Sequence, residues 1–152
     1  MTQDIKKGYL IDTNVFSEIF RQEPELGDYS PIVDYFNDIP LNKRFTTDMN
    51  VLELYNRARS IGYKEIEKID LFLKDEMIKI FPITRKDSKR ALILMKKNTP
   101  AIGLEDKDAL IAAISLNRNC HLITIDRVFE KLKKDGLNVI TLAGYERGII
   151  NV

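Results

Sequence analysis

Residues Gly8 to Phe16 read GYLIDTNVF. Tyr9, Leu10 and Ile11 form a short apolar run that meets Asp12, Thr13 and Asn14. This predicts a buried strand over Gly8–Ile11 and a turn over Asp12–Asn14. Val15, Phe16, Ile19 and Phe20 then recur at helical spacing, which predicts a helix over Val15–Arg21. An acid thus sits where a buried strand ends, and the rest of the chain repeats the theme.

The stretch QEPELGDYSP holds Pro24, Gly27 and Pro31 and reads as a loop. PIVDYFNDI opens on proline, a favoured first helical residue, and carries one apolar face. Arg44–Thr47 reads as a second strand. Thr47 or Asp48 is placed to cap the helix in MNVLELYNRARSIG, which Gly62 closes. Lys64–Met77 reads as a helix and Ile78–Ile83 as a third strand, with Pro82 near its end. Thr84 is placed to cap RKDSKRALILMKKN, a helix with a basic face, and Thr99–Gly103 is a loop. Asp108–Asn119 is the most apolar helix and is expected to be buried on most sides. Cys120–Ile125 is a fourth strand ending at Asp126, RVFEKLKKDG a short amphipathic helix ended by Gly136, and LNVITL a fifth strand. The tail AGYERGIINV takes no assignment. Strands alternating with helices predict an α/β fold: three layers, with a mainly parallel sheet of about five strands between helices, in one domain over residues 1–152. Functional sites in such sheets gather beyond the carboxyl ends of the strands.

Composition narrows the chemistry. Apolar content of 44% and charged content of 31% suit an ordinary globular domain. No apolar run approaches the roughly 18 residues that span a bilayer. The start MTQDIKKGYL lacks an apolar core, so no secretory signal is expected. The single Cys120 excludes an internal disulfide and suits a reducing, cytoplasmic location. The net charge of +1 says little about partners, since a basic patch can coexist with acids gathered elsewhere. His121 is the only histidine, so neither a Cys/His zinc site nor a two-histidine ribonuclease can be assembled. Hydrolytic chemistry here must lean on carboxylates or on a metal they hold.

Four acids are candidates, each with a plainer alternative. Asp12 could cap the next helix or stabilise its turn. Glu53 lies about 140° from the centre of the stripe formed by Val51, Leu54, Tyr55 and Ala58, which by periodicity reads as a solvated glutamate. Asp108 opens an apolar helix, where the helix dipole favours an acid. Asp106 points roughly 200° away from Asp108, so Asp106 is assigned to capping and Asp108 to the site. Asp126 could cap the helix it begins. Thr124, two residues before it, projects from the same strand face. Cys120 and His121 begin that strand, roughly 15 Å from Asp126, and read as structural. Lys43–Arg44, Lys96–Lys97 and Lys133–Lys134 read as solvated charges, with phosphate contact as the alternative.

In their order and setting the segments YLIDTNVFSEIF, NVLELYNRA, DALIAAISLNRNCHLITIDRVFEKL and GLNVITL resemble the successive motifs of the PIN domain, most closely the VapC-type toxins of toxin–antitoxin pairs. The likeness runs from Gly8 to Leu142 and is most specific over Asp108–Phe129. The family's four acids match Asp12, Glu53, Asp108 and Asp126, and Thr13 and Asn14 match the residues that follow its first acid. Gln22–Arg44 is not diagnostic, and the tail past Leu142 is longer than the family needs. The resemblance implies Mg²⁺ or Mn²⁺ at the acids, endoribonuclease activity on structured RNA of the tRNA or rRNA class, a homodimer, and inhibition by a small antitoxin protein.

Such hard ions prefer oxygen ligands, so a few carboxylates suffice, and a bound water becomes a nucleophile without histidine. Asp12 and Asp108 are the expected principal ligands, Asp126 and Glu53 ligate directly or through water, and Asn14 and Thr124 orient them. Two readings compete. A haloacid-dehalogenase-like phosphatase needs a second aspartate two residues after the first, where this chain has Asn14. A non-catalytic PIN-fold scaffold would bind RNA or protein, and the presence of all four acids argues against it.

Overall fold

The computed structural model describes residues 7–20, 31–59, 62–98 and 104–142. The expected loops over 22–30 and 99–103, Arg21, and the tail lie outside the described residues. Five strands, β1 (Tyr9–Ile11), β2 (Arg44–Thr47), β3 (Lys79–Phe81), β4 (His121–Thr124) and β5 (Asn138–Thr141), form one sheet in the order β3-β2-β1-β4-β5. Every adjacent pair is parallel. The helices are α1 (Thr13–Phe20), α2 (Pro31–Asp38), α3 (Asp48–Ala58), α4 (Tyr63–Asp75), α5 (Arg85–Asn98) and α6 (Asp106–Asn117). Short 3-10 helices cover Leu41–Lys43 and Arg127–Asp135.

Successive strand residues point to opposite faces, and here that alternation divides the core in two. Leu10 and Leu122 pack with Leu94, Ile111, Ile114, Phe129 and Leu132, from α5, α6 and the second 3-10 helix. Ile11 and Ile123 pack with Val15, Phe16, Phe36, Leu54 and Leu73, from α1 to α4. Both faces are therefore covered, as an all-parallel sheet requires. From β1 the chain moves outward to β2 and β3, then crosses to β4 and β5 on the other side. The strand order reverses between β1 and β4, and the crevice beyond their carboxyl ends is where such sheets bind ligands. Gly8 precedes β1 for a steric reason: a Cβ there would lie 2.2 Å from the Phe45 ring.

Several expectations shift. Helix α1 starts at Thr13, not Val15, because the Asp12 carboxylate accepts from the Thr13 N–H (2.8 Å) and the Asp12 carbonyl from the Val15 N–H (3.1 Å). Helix α6 begins and ends two residues earlier than expected. Its N-cap is Glu105, with no side-chain hydrogen bond, so Asp106 is the first helical residue and not the cap. The segment Arg127–Asp135 winds as a 3-10 helix, closed by Gly136 at φ 96 in the left-handed region. Arg44 is no solvated cation. It is 3% exposed, donates through Nε to the Ile39 carbonyl (3.0 Å) and through Nη2 to the Phe36 carbonyl (3.2 Å), and pairs with Glu76 at 2.8 Å. It satisfies carbonyls at the end of α2 and has nothing left for a phosphate.

Candidate active site

All four acids are carried by segments that follow strands or open helices at the switch-point crevice. Asp12 ends β1, and its N–H continues the sheet ladder to the Ile123 carbonyl (2.9 Å). Its side chain is 6% exposed and held from three elements. Oδ1 accepts from the Thr13 N–H (2.8 Å) and from Asn50 Nδ2 (3.0 Å), and Oδ2 accepts from the Thr124 hydroxyl (2.8 Å). The Thr13 bond realises the helix-start role. Those to α3 and β4 go beyond any cap. A carboxylate offers about four lone-pair sites. These three bonds leave Oδ2 with one site to spare.

Thr124 is fully buried and links three of the expected residues. Besides donating to Asp12, its hydroxyl accepts from the Asp126 N–H (3.0 Å) and from Asn14 Nδ2 (3.4 Å). Asn14 Oδ1 accepts in turn from the Ile125 N–H (3.2 Å). Asp126 is exposed, and its Oδ1 caps the 3-10 helix by accepting from the Val128 N–H (2.9 Å). Asp108 sits half-buried in the first turn of α6, and among the described residues no hydrogen bond reaches its carboxylate.

Glu53 contradicts the periodicity reading. Its side chain is 17% exposed, not solvated: Oε1 accepts from the Thr13 hydroxyl (2.8 Å) and Oε2 from Lys107 Nζ (2.7 Å). The face of α3 away from the stripe packs on α1, where Arg57 also reaches Ser17. Lys107 escaped the sequence reading, and so did Asn50. Asn50 is fully buried, donates to Asp12 Oδ1 and to the Thr13 hydroxyl (2.9 Å), and accepts through Oδ1 from the Thr47 hydroxyl (2.7 Å). The Thr47 side chain, in turn, caps α3 by accepting from the Asn50 N–H (3.1 Å). A signal was available: Asn50, Leu54 and Ala58 recur every four residues, so Asn50 is a polar residue on the buried stripe. Replacing Asn50 by alanine is expected to destabilise the fold by about 2 kcal/mol, since it leaves buried polar partners unsatisfied. It should also slow any Asp12-dependent reaction roughly tenfold by loosening that carboxylate. Urea denaturation and the rate measured on the same preparation check both.

The acids feel one another. Burial pushes the Asp12 carboxyl above its usual range. The bonds from Thr124 and Thr13 hold it back, and the Glu53 and Asp126 charges add to the rise. Burial, then the Asp126 and Asp12 charges, lift Asp108 to about 6. Lys107 is raised chiefly by its bond to Glu53. Concentrated negative charge of this kind, with oxygen-only donors, suits a hard divalent cation. Among the described residues no three acidic, histidine or cysteine side chains already stand around one point. The reason lies in the partners: Glu53 is turned to Thr13 and Lys107, and Asp126 to Val128. Donor chemistry and charge therefore fit a divalent metal, which Asp12, Asp108, Asp126 and Glu53 would hold. His121 is remote from this end, stacked on the Tyr9 ring at 5.1 Å between centroids, and Cys120 is buried.

Sheet topology and site together define an α/β protein with carboxylates gathered at a strand switch point. The chain belongs to the PIN domain family, whose profile matches residues 9–135. PIN domains are typically nucleases and generally use a divalent metal. The fold is similar to that of a toxin–antitoxin complex from Klebsiella pneumoniae (19% identity, TM-score 0.69, covering 88% of this chain and 97% of that one). It is also similar to VapBC2 from Rickettsia felis bound to a DNA fragment from their promoter (17%, 0.72, 88% and 97%). A third similar structure is VapBC-1 from nontypeable Haemophilus influenzae (21%, 0.65, 88% and 96%). No curated protein matches the chain by sequence. Among the described residues no helix is long and apolar enough to cross a membrane.

Proposed function

We propose that this chain is a metal-dependent endoribonuclease, the toxin of a type II toxin–antitoxin pair, acting on structured RNA of the tRNA or rRNA class. One observation carries the reading: Asp12 is fixed by Thr13, Asn50 and Thr124 with a lone pair to spare, in electrostatic reach of Asp108, Asp126 and Glu53. Asp12 and Asp108 are the principal ligands for Mg²⁺ or Mn²⁺, and Asp126 and Glu53 ligate directly or through water. Bound there, the ion would supply an ionised water and neutralise charge developing on the scissile phosphate. Thr124 and Asn50 keep the Asp12 oxygens aimed, Asn14 steadies Thr124, and Lys107 holds Glu53.

An open groove of about 1100 Å³ begins beside Asn14 and Ile125 and runs between α1, α3 and α4 past Phe20, Leu54, Ile69 and Phe72. Phe20 is 41% exposed, whereas Phe16 and Phe36 are core. The groove suits an apolar segment of the antitoxin, whose docking would also cover the catalytic crevice. A homodimer completes the proposal.

The purified chain, free of antitoxin, should generate discrete new 5′ ends in total cellular RNA with Mg²⁺ or Mn²⁺ and none with EDTA. Glu53 held by Lys107 is the observation that favours a non-catalytic scaffold. RNA binding without new ends in either metal would establish that alternative, and turnover of a small phosphomonoester would point to a phosphatase.

A further inference from the structure

We propose that one edge of α5 is a second RNA-contact surface, gripping the phosphate backbone outside the cutting site. The inference rests on the ribonuclease reading for its choice of occupant. Lys86, Lys89, Arg90 and Lys97 line an open cavity of about 420 Å³, with Ile93 exposed among them. Their spacing of three, four and seven residues puts them on one side of the helix. Eleven residues of α-helix make this edge about 16 Å long.

Of the local acids only Asp135, which also lines the cavity, offsets part of this charge, at Lys97. Asp87 lies beneath the edge, fully buried, and is consumed by the Thr84 N–H (2.8 Å), Asn117 Nδ2 (2.8 Å) and the Arg118 guanidinium (2.9 Å). Asp135, at the other end, is bonded to Lys97 Nζ (3.1 Å) and Asn98 Nδ2 (3.3 Å). Among the described residues Arg90 meets only the neutral Asn117 Oδ1 (3.0 Å), and Lys86 and Lys89 pair with no acid. A chain of net charge +1 thus places six cations on α5 (Arg85, Lys86, Lys89, Arg90, Lys96 and Lys97) and neutralises its one acid inside the fold.

Position matters as much as charge. Asp87 and Arg90 sit against Asn117 in the last turn of α6. Lys97 and Asn98 sit against Asp135, at the end of the second 3-10 helix away from Asp126. The edge therefore lies outside the acid cluster, as a separate contact. Repelled by the acids themselves, an RNA strand gains from cations set to one side of them. An acidic protein partner would want more exposed apolar area at its centre than Ile93 alone provides.

Lysines on a helix are most often merely solvated, and salt dependence separates the two cases. The test compares wild type with the combined Lys86→Gln, Lys89→Gln, Arg90→Gln variant. Glutamine has a helix propensity close to theirs, so α5 should persist. The probe is fluorescently labelled bulk tRNA, in EDTA to prevent cleavage, across 50–300 mM KCl. Each lost phosphate contact lowers the steepness of log affinity against log salt by about 0.7 to 0.9, so the variant should be shallower by roughly 2 to 3. Affinity at low salt should fall at least tenfold. Equal slopes and affinities, or tighter binding of polyglutamate than of tRNA, would overturn the proposal. If the triple variant melts early, the three single variants are used, and each should lose about 0.7 to 0.9 of slope. Cleavage with unchanged slope defeats this inference alone. A reduced slope in a protein that never cuts RNA defeats the ribonuclease reading alone.

Discussion

Asp12→Asn is expected to remove RNA cleavage, by about 10³-fold or more, while leaving the fold intact. The loss follows from what the substitution deletes. Asparagine keeps an oxygen for the Thr13 N–H and Asn50 Nδ2, but its amide nitrogen takes the place of Oδ2. That is the atom with the spare lone pair, and an N–H₂ group can neither ligate a hard cation nor offset its charge. Folding survives because the neighbours adjust. The Thr124 hydroxyl can accept from the new amide once its 3.4 Å bond from Asn14 gives way. The buried charge that burial penalises in Asp12 is also gone. The melting temperature of the metal-free variant should therefore equal or exceed that of wild type. The two proteins are compared on one RNA in Mn²⁺, after purification in parallel, with circular dichroism melts alongside. A variant that cuts at the wild-type rate would sink the mechanism, and one that fails to fold would show that Asp12 serves structure first.

The sheet was legible because its signals are local. Four apolar runs and the short Arg44–Thr47 stretch, separated by helical periodicity, required nothing from tertiary structure, and all five strands lie at those places. Boundaries slipped where a side chain overrode composition. Asp12 pulls Thr13 into α1, and Glu105 takes the cap position for which Asp106 seemed chemically suited. Within the candidate site, Asp12 and Thr124 were marked by their place at strand ends and Asn14 by the family likeness, and the three share one bonded network. Glu53 was legible only by likeness to a family. Helical periodicity reports which face meets the sheet, and the partners of Glu53 come from α1 and α6, through Thr13 and Lys107. Asn50 was hidden for the opposite reason. It lies on the buried stripe itself, where a polar residue is easily passed over as an interruption. Arg44 shows the same limit from the charged side, since nothing in a Lys-Arg pair distinguishes a solvated guanidinium from one locked onto the end of α2.

Without metal, Asp108→Asn should be more stable than wild type by a margin that grows between pH 4 and 7, and divalent metal should reverse it. Asp108 has a folded pKa of about 6 against 3.8 for the free group. Below pH 4 it is protonated folded and unfolded alike, and costs nothing. Between these values only the folded state holds the proton, so wild-type stability falls as pH rises, and above about pH 6 the full penalty is present. Asp12 is raised too and acts in the same sense. Asp87 is lowered: its bonds from Asn117, Arg118 and Thr84 outweigh burial. Its contribution is lost only as pH falls below the ordinary carboxylate range, outside this window. His121 is lowered by burial and by the Lys7 and Lys43 charges, so it weakens the fold as pH falls below 6.5. That term is common to both proteins and cancels in the comparison. An ion held by the ionised carboxylates binds the folded state only. At a hundred times its Kd it adds about 2.7 kcal/mol, a rise of roughly 5–10 °C for a chain of this size. Wild type at pH 7.5 should gain that rise with Mn²⁺, and Asp108→Asn should lose most of it. Melts at pH 4.5, 6 and 7.5, with Mn²⁺ and with EDTA, measure both effects. A margin that ignores pH, together with equal Mn²⁺ shifts in the two proteins, would remove Asp108 from the metal site and leave it an ordinary helix-start acid.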